Sequence, residues 1–229
     1  MKRLFDLFVS LLVLLCFLPF GLMIAVILKL TGEGEIFYLQ KRVGKNQKVF
    51  HMIKFATMLK ASPALGSGDI TLKNDPRVLP MGRFLRKTKL NEFPQFINVL
   101  IGDMSLVGPR PLTQKNYDYY SDNEKNIIAS MRPGITGIGS LYFRDEESLL
   151  AGKTIDENIR YYKENIAPLK AQLEKWYKVH CTVFLDIKIM WMTAIAVVNP
   201  TSRYSARFFN TIIDHTPQYK EQRERRMIR

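Results

Sequence analysis

Residues 81–112 read MGRFLRKTKLNEFPQFINVLIGDMSLVGPRPL, and this stretch decides how the rest of the 229-residue chain is interpreted. Its first third predicts an amphipathic helix that leads into Asn91 and Glu92. A tight turn over residues 102–105 and the Gly-Pro-Arg-Pro segment at 108–111 follow. Cations, acidic side chains and fixed turns this close together suit an anionic, phosphate-bearing ligand and a metal ion.

The composition favours a membrane or a phosphorylated substrate as the partner of this basic chain. Its net charge of +13 attracts nucleic acid, an anionic membrane surface or a phosphate-bearing substrate. Nucleic acid is the generic alternative, but here the basic residues accompany a long apolar N-terminal segment, which argues against it. Cys16 and Cys181 stand apart from any Cys/His ligand pattern, so a structural zinc site is not expected.

The apolar segment LFDLFVSLLVLLCFLPFGLMIAVILKL occupies residues 4–30. A helix of this length crosses about 30 Å of hydrocarbon. No small-residue cleavage site follows it, which argues against a signal peptide, so a spanning helix and a re-entrant helix remain. Pro19 predicts a kink, because proline removes a helical hydrogen bond. The positive charges of Lys2, Arg3 and Lys29 flank both ends and do not favour opposite sides of a membrane.

The residues after this segment predict a small β-hairpin and a broken central helix. Residues 35–55 alternate loosely between apolar and polar side chains, with a four-residue turn at 44–47. Residues 59–76 are rich in Gly, Ser, Pro and Asp and predict a loop. The central helix is expected to start over residues 77–87 and to continue over residues 96–100, and Pro94 demands either a break or a first-turn position between the two parts.

The C-terminal half predicts two polar helices and one apolar helix. The polar helices are expected over residues 115–131, ended by a turn at 132–137, and over residues 155–180. Residues 183–198 are apolar but only 16 long, which is short for a membrane span and favours an interfacial helix; a buried core helix is the alternative. The basic tail at 219–229 suits disorder or anionic headgroups.

Three motifs give the chain a resemblance to a known family. They are KFATM at 54–58, GDMSLVGPRPL at 102–112 and RPGITG at 132–137. Together they resemble the signature of the bacterial sugar transferases that load a phosphosugar onto polyprenyl phosphate, the monotopic phosphoglycosyl transferases. The resemblance covers roughly residues 2–200, and the second and third motifs at this spacing are hard to match by chance.

The resemblance implies a helix-rich α/β fold in a monotopic membrane protein. It favours the re-entrant form of the N-terminal helix, followed by interfacial amphipathic helices and a small soluble core that contains the β-hairpin. The expected segments are a re-entrant helix at 1–32, a catalytic domain at 33–200 and a basic tail at 201–229. The implied location is the cytoplasmic face of the bacterial inner membrane, and self-association into a homo-oligomer stays open.

The implied reaction transfers a phosphosugar from a UDP-sugar to polyprenyl phosphate in the lipid bilayer, with release of UMP. In the family an Asp carboxylate attacks the sugar-bearing phosphate, and a neighbouring Glu binds Mg²⁺, which neutralises diphosphate charge. Glu92 is therefore the expected Mg²⁺ ligand. The expected catalytic residues are Asn91, Glu92 and Asp145, and the expected phosphate-binding residues are Lys54, Arg86, Arg110 and Arg144.

The chain departs from the family pattern at the expected nucleophile, because Asn91 stands where the family has Asp. A carboxamide is a poor nucleophile and cannot form an acyl phosphate. Three interpretations remain. The first is a natural variant in which Glu92 or an acid of 145–147 acts, or polyprenyl phosphate attacks directly; the second is an engineered substitution; the third is an impaired or non-catalytic binder of nucleotide sugar or polyprenyl phosphate. The chain also departs from the family pattern at Ala56, where the family has a basic residue, and at Phe143 and Asp145, where the family has Gly and Asn on either side of the arginine. Several departures together favour a natural variant.

Overall fold

Helices dominate the described part of the chain, and the strands found there pair into two small sheets. The computed structural model describes residues 1–62, 75–144, 146, 149, 154–199 and 208–209. The helices are α1 (Lys2–Leu30), α2 (Pro80–Lys87), α3 (Gln95–Ile101), α4 (Gln114–Tyr117), α5 (Asp122–Ala129), α6 (Ile138–Tyr142), α7 (Ile155–Tyr161), α8 (Ala167–His180) and α9 (Val183–Val198). The strands are β1 (Phe37–Val43), β2 (Val49–Phe55), β3 (Ser105–Val107) and β4 (Gly134–Thr136). The prediction of a helix-rich α/β protein with a small hairpin is confirmed.

The chain divides into two compact units that do not follow the order of the sequence. The N-terminal unit comprises Arg3–Arg42 and Phe50–Met104, and the C-terminal unit comprises Met1–Lys2, Val43–Val49 and Ser105–Arg229. The tip of the β1–β2 hairpin therefore belongs to the C-terminal unit. The boundaries predicted at residues 32 and 200 stay predictions.

Helix α1 turns polar side chains inward and apolar side chains outward. Asp6 and Ser10, one turn apart, are buried, whereas Leu15 and Leu22 are exposed. A surface helix in water shows the opposite arrangement. Within the described residues, α1 is the helix that is long and apolar enough to cross a membrane by length and composition. The helix continues through Pro19, and the kink expected there stays a prediction.

The core of the N-terminal unit joins α1 to the hairpin and to α2. Ile24 and Leu28 of α1 form a buried cluster with Phe55 of β2 and Leu85 of α2. The hairpin prediction is confirmed, although the connection between β1 and β2 has five residues, Gly44 to Lys48, instead of four.

The central helix ends earlier than predicted, so the expectation that it leads into Asn91 is wrong. Helix α2 stops at Lys87, and Lys89 adopts a left-handed conformation with φ of 61°. A left-handed residue reverses the chain direction and terminates a helix. Asn91 consequently lies in a separate 3₁₀ turn, Leu90–Glu92. Pro94 caps the start of α3, where its missing N–H costs nothing.

The C-terminal unit contains a two-stranded parallel sheet that the sequence analysis did not predict. Ser105 pairs with Gly134, and Val107 pairs with Thr136. Residues Gly134–Thr136 of the RPGITG segment therefore form a strand, and the turn expected over residues 132–137 is wrong. Gly134 permits this approach, because a Cβ there would lie 2.2 Å from the Gly108 backbone nitrogen.

The predicted C-terminal helices are present with changes. The helix expected over 115–131 is divided into α4 and α5, which starts at a capping box on Ser121. The helix expected over 155–180 is continuous, but it contains a π-helical turn, Tyr162–Ile166, between α7 and α8. Helix α9 has the predicted bounds.

Helix α9 is packed on one face only. Ile189 and Met192 are buried, whereas Phe184 and Trp191 are exposed. The outward face is thus apolar, which a helix fully enclosed in a core does not show. An ion pair anchors its first turn within the C-terminal unit: Lys2 Nζ lies 2.5 Å from the fully buried Asp186 carboxylate.

Candidate active site

The 3₁₀ turn between α2 and α3 carries the two residues that the sequence singles out. Asn91 is 9% exposed, and its side-chain oxygen Oδ1 is buried without a hydrogen-bond partner. Buried polar atoms are almost always paired, because an unpaired one costs about 1–3 kcal/mol. An acceptor without a partner at this position is able to contact a ligand group or an ion.

Glu92, the next residue, faces a cation from the hairpin. Lys54 Nζ lies 3.4 Å from Glu92 Oε1, and the two side chains are 16% and 30% exposed. The structure thus brings together two of the residues predicted from the sequence. A partly exposed carboxylate beside a lysine remains able to exchange its partner for a metal ion or a phosphate group.

The strand that carries Lys54 is held by a buried side chain of α3. The Ile53 backbone N–H donates to Asn98 Oδ1 at 2.9 Å, and Asn98 Nδ2 donates to the His51 carbonyl oxygen at 2.8 Å. Asn98 is fully buried. Its side-chain amide makes the two hydrogen bonds to β2 that a neighbouring strand would make. The distance between Lys54 and the Asn91–Glu92 turn depends on this fixed contact.

Arg86, in the last turn of α2, contacts the residues that follow the hairpin. Its Nη1 lies 3.4 Å from Thr57 Oγ1, directly after the hairpin. Helix α2 comes this close because Gly82 has no side chain: a Cβ there would lie 2.1 Å from the Thr57 carbonyl oxygen. The Leu79 N–H also donates to that oxygen, at 3.0 Å. The predicted phosphate role of Arg86 stays a prediction.

The turn with Asn91 and Glu92 rests on the apolar helix α1. The ring of Phe93, the residue after Glu92, stacks on the ring of Phe17 with centroids 3.5 Å apart. Phe17 precedes Pro19 by two residues, near the middle of α1. A polar turn is therefore packed directly against the most apolar element of the unit.

The donor set of this turn fits a hard cation. The Glu92 carboxylate and the orphaned Asn91 Oδ1 are oxygen donors on adjacent residues, and Mg²⁺ prefers one or two protein oxygens combined with substrate phosphates. Among the described residues, no group of three His, Cys, Asp or Glu side chains is placed to hold a metal. A Mg²⁺ ion at this turn would therefore take its remaining ligands from phosphate oxygens or water.

The remaining predicted residues belong to the C-terminal unit. Arg110 is exposed, and the neighbouring prolines 109 and 111 restrict its backbone. Arg144 is exposed shortly after α6. Asp145 lies outside the described residues. Of the acids considered as a relocated nucleophile, Glu146 is paired, with its carboxylate 2.6 Å from Lys170 Nζ.

A pocket in the C-terminal unit contains an acid that the sequence analysis missed. Arg110, Lys170 and Glu174 are among its lining residues. Glu174 is 3% exposed; its Oε1 accepts a hydrogen bond from the Gly139 N–H at 3.2 Å, and its Oε2 is buried without a partner. Burial raises the pKa of the Glu174 carboxyl to about 7, although the Gly139 N–H and the Lys170 charge both favour the ionised form. On sequence alone Glu174 is one acid in a polar helix, and no pattern distinguishes it.

Comparison with known sequences identifies the family. The family profile described as "Bacterial sugar transferase" matches residues 1–200. The chain belongs to this family. The suspected resemblance is thereby confirmed, since the match covers the segment that the three motifs indicated.

Several bacterial sugar transferases of known name are similar to the chain. It is 34% identical to the undecaprenyl-phosphate galactose phosphotransferase of Salmonella typhimurium, over 89% of the chain and 42% of that protein. It is 33% identical to the UDP-glucose:undecaprenyl-phosphate glucose-1-phosphate transferase of Klebsiella pneumoniae, over 84% of the chain and 39% of that protein. It is 37% identical to the exopolysaccharide production protein PSS of Rhizobium leguminosarum, over 86% of the chain and 94% of that protein. The chain thus spans under half the length of the two named transferases and nearly all of the third relative.

Proposed function

We propose that the protein transfers a phosphosugar from a UDP-sugar to undecaprenyl phosphate, with release of UMP, at the start of a bacterial polysaccharide or glycoprotein glycan. Family membership and the names of the relatives support this activity. The observation that carries it is the stacking of Phe93 on Phe17. This contact keeps the Asn91–Glu92 turn beside an apolar helix, where a phosphate on a membrane-borne lipid is within reach of a polar site.

Helix α1 supports a re-entrant topology over a spanning one. A 29-residue helix is about 43 Å long, yet both of its ends contact the same unit. Near the start, Arg3 donates to the Leu100 carbonyl oxygen at 3.3 Å; near the end, Leu28 packs on Phe55. A spanning helix places its ends on opposite sides of the bilayer, so this whole unit would have to lie in hydrocarbon.

The membrane partner is inferred to be the cytoplasmic face of the inner membrane. The apolar outward side chains of α1 enter one leaflet, and basic residues flank both ends of the helix, as cytoplasmic segments do. The exposed apolar face of α9, with Phe184 and Trp191, lies in the interface.

The chemistry of the turn suits a diphosphate. Lys54 and Arg86 supply positive charge for phosphate oxygens, and Glu92 with Asn91 Oδ1 would hold Mg²⁺. When bound, Mg²⁺ neutralises the charge of the leaving phosphate. Lys54 then exchanges its contact with Glu92 for a substrate oxygen, so the lysine holds the phosphate and the carboxylate remains available for the cation.

The carboxamide of Asn91 favours a route without a covalent intermediate on that residue. A phosphate oxygen of undecaprenyl phosphate attacks the sugar-bearing phosphorus of the UDP-sugar. The bond between this phosphorus and the oxygen bridging to the uridine phosphate breaks, and UMP leaves with the bonding electron pair. The two substrates must be bound together, so this route predicts sequential kinetics. An acid of the 145–147 segment acting as a nucleophile is the alternative.

Release of UMP tests the activity. The full chain in membranes that contain undecaprenyl phosphate is supplied with a panel of UDP-sugars, and Glu92→Gln serves as the matched control. UMP release that needs both substrates and falls in the control supports transfer. Binding of UDP-sugars without UMP release for any of them would favour the rival function, a non-catalytic membrane binder of nucleotide sugar or polyprenyl phosphate.

A further inference from the structure

The α8–α9 corner, residues 175–199, exposes charges of one sign only. Its exposed charged side chains, called the corner lysines below, are Lys175, Lys178 and Lys188. The acid of this stretch, Asp186, is fully buried and is paired with Lys2. Lys188 Nζ lies 4.6 Å from the centroid of the Phe208 ring, a contact that leaves its charge in place. The corner therefore favours a partner with negative charge.

Apolar side chains surround these charges on the same surface. On α9 the exposed positions include 184, 187, 188 and 191, which follow the i, i+3, i+4, i+7 spacing of one helix face. Phe184 and Trp191 on this face are 79% and 62% exposed, and Val179 in the last turn of α8 is 75% exposed. Large apolar side chains grouped at such exposure indicate a surface that binds a membrane or another protein.

The combination of charge and apolar surface selects among the possible partners. A nucleic acid offers negative charge but no apolar layer for Phe184 and Trp191. A second copy of this chain, packed face to face, offers apolar side chains but brings the same lysines together, and like charges repel. An anionic bilayer offers both features, because its acyl chains receive the apolar side chains while the lysine stems extend along them and place the ammonium groups at the phosphates.

We propose that the α8–α9 corner binds anionic phospholipids, with the corner lysines on the headgroup phosphates and with Phe184 and Trp191 in the acyl region. This inference rests on the proposed function in one respect, the placement of α9 at the membrane interface, and it adds the class of lipid that surrounds the helix. One lysine near an anionic surface favours the bound state by a factor of about 5. The three together should enrich anionic over zwitterionic lipid around α9 several-fold.

Tryptophan quenching by brominated lipids tests the inference, because the chain has two tryptophans, Trp176 and Trp191. In a Trp176→Phe chain the fluorescence of Trp191 alone reports on α9. The full chain is placed in nanodiscs of equal parts phosphatidylcholine and phosphatidylglycerol, with bromine on the acyl chains of one lipid at a time. We expect brominated phosphatidylglycerol to quench Trp191 more strongly than brominated phosphatidylcholine. High salt should reduce the difference, because it screens exposed charges.

Replacing the corner lysines assigns the preference to this surface. In the Trp176→Phe background, the triple Lys→Gln variant at 175, 178 and 188 should show equal quenching by the two lipids. The matched control carries Lys→Gln at 45, 48 and 115, which are also exposed and belong to the same unit, and it should keep the full difference. The salt series needs no lysine variant, so the test stays valid if the triple variant does not fold.

Equal quenching by the two lipids in the Trp176→Phe chain would overturn the inference, and so would a difference that survives in the triple variant. Absence of quenching by either lipid would also overturn it, and a doubled protein mass per disc would then show that a second copy covers α9. UMP release on the same discs separates the two proposals. Turnover with equal quenching leaves the proposed function standing, whereas selective quenching without turnover supports the lipid site and contradicts the transferase activity.

Discussion

Lys54 Nζ lies 3.4 Å from Glu92 Oε1 in the N-terminal unit. The two residues are 38 positions apart in the chain, and the pair is partly exposed, so it contributes only about 0–1 kcal/mol to stability. The ion pair matters for the position of the two side chains more than for stability. A cation and a carboxylate are held beside the buried Asn91, where a phosphate and a metal ion can separate them.

Replacing Glu92 with Gln should abolish turnover and leave the fold intact. The substitution removes the anionic oxygen expected to hold Mg²⁺ but retains size and polarity, and the lost ion pair is weak. UMP release and thermal unfolding measured on the same preparation check this. Glu164→Gln is a suitable control, because Glu164 is exposed. Glu124→Gln in α5 is unsuitable, because Glu124 belongs to a capping box and its loss would destabilise the helix. Full activity of Glu92→Gln would exclude the metal assignment.

Asn91→Asp distinguishes a natural variant from an engineered substitution of the nucleophile. The chain as it stands should form no phosphosugar adduct on residue 91, and a natural variant should turn over with sequential kinetics and gain little from Asp. An engineered substitution should instead regain several orders of magnitude, which is roughly the cost of removing a covalent nucleophile. Intact-protein mass spectrometry with a UDP-sugar, beside a turnover assay, measures both. An adduct mapped to Asn91 itself would refute this account of the residue.

Cysteine labelling tests the topology of α1. In a chain with Cys16 and Cys181 replaced by Ser, single cysteines at Leu4 and Glu33, both exposed, should react with an impermeant thiol reagent only when the cytoplasmic face is open. The reason is that both ends of α1 contact one unit. Labelling of the Leu4→Cys protein from the periplasmic side would establish a spanning helix.

Asn98→Ala should destabilise the N-terminal unit and lower activity together. It leaves the Ile53 N–H and the His51 carbonyl oxygen without their partner, which costs about 2–4 kcal/mol in total, and it releases the strand that carries Lys54. Denaturant unfolding and the UMP assay measure the two effects. Asn126→Ala, at an exposed helix position, is the matched control. An unchanged unfolding midpoint for Asn98→Ala would contradict the packing described for β2.

Glu174 should make stability depend on pH. Its pKa in the folded chain is about 7, raised from 4.5 by burial, so between these values the unfolded chain releases a proton that the folded chain keeps. The free energy of unfolding therefore falls as pH rises from 4.5 to 7, by about 3 kcal/mol, and is level above that. Unfolding of Glu174→Gln at a series of pH values should lack this fall. A wild-type profile identical to that of the variant would show that the carboxyl is not buried as described.

Local patterns predicted the helices and the hairpin, because period and turn chemistry are properties of neighbouring residues. The bounds of α9 followed from the sequence, and so did an interruption of the helix at Pro94, which lies at the N-cap of α3. The early end of α2 did not: a left-handed Lys89 is unfavourable on local grounds, and tertiary packing of Leu90 and Phe93 with the α1 cluster favours it. The β3–β4 pairing joins residues some thirty positions apart, and no local signal specifies it.

The sequence by itself determined the family, the apolar helix and the identity of Asn91 and Glu92, since motifs and composition are written in the order of residues. The tertiary structure decided which charges meet. In the folded chain Lys54 forms an ion pair with Glu92, and Lys170 forms one with Glu146. One side-chain oxygen each of Asn91 and Glu174 is buried without a hydrogen-bond partner. Burial and hydrogen bonding depend on residues that are brought together from distant parts of the chain. The sequence therefore does not distinguish a polar side chain that is buried in a pocket from one that is exposed to solvent on a helix surface.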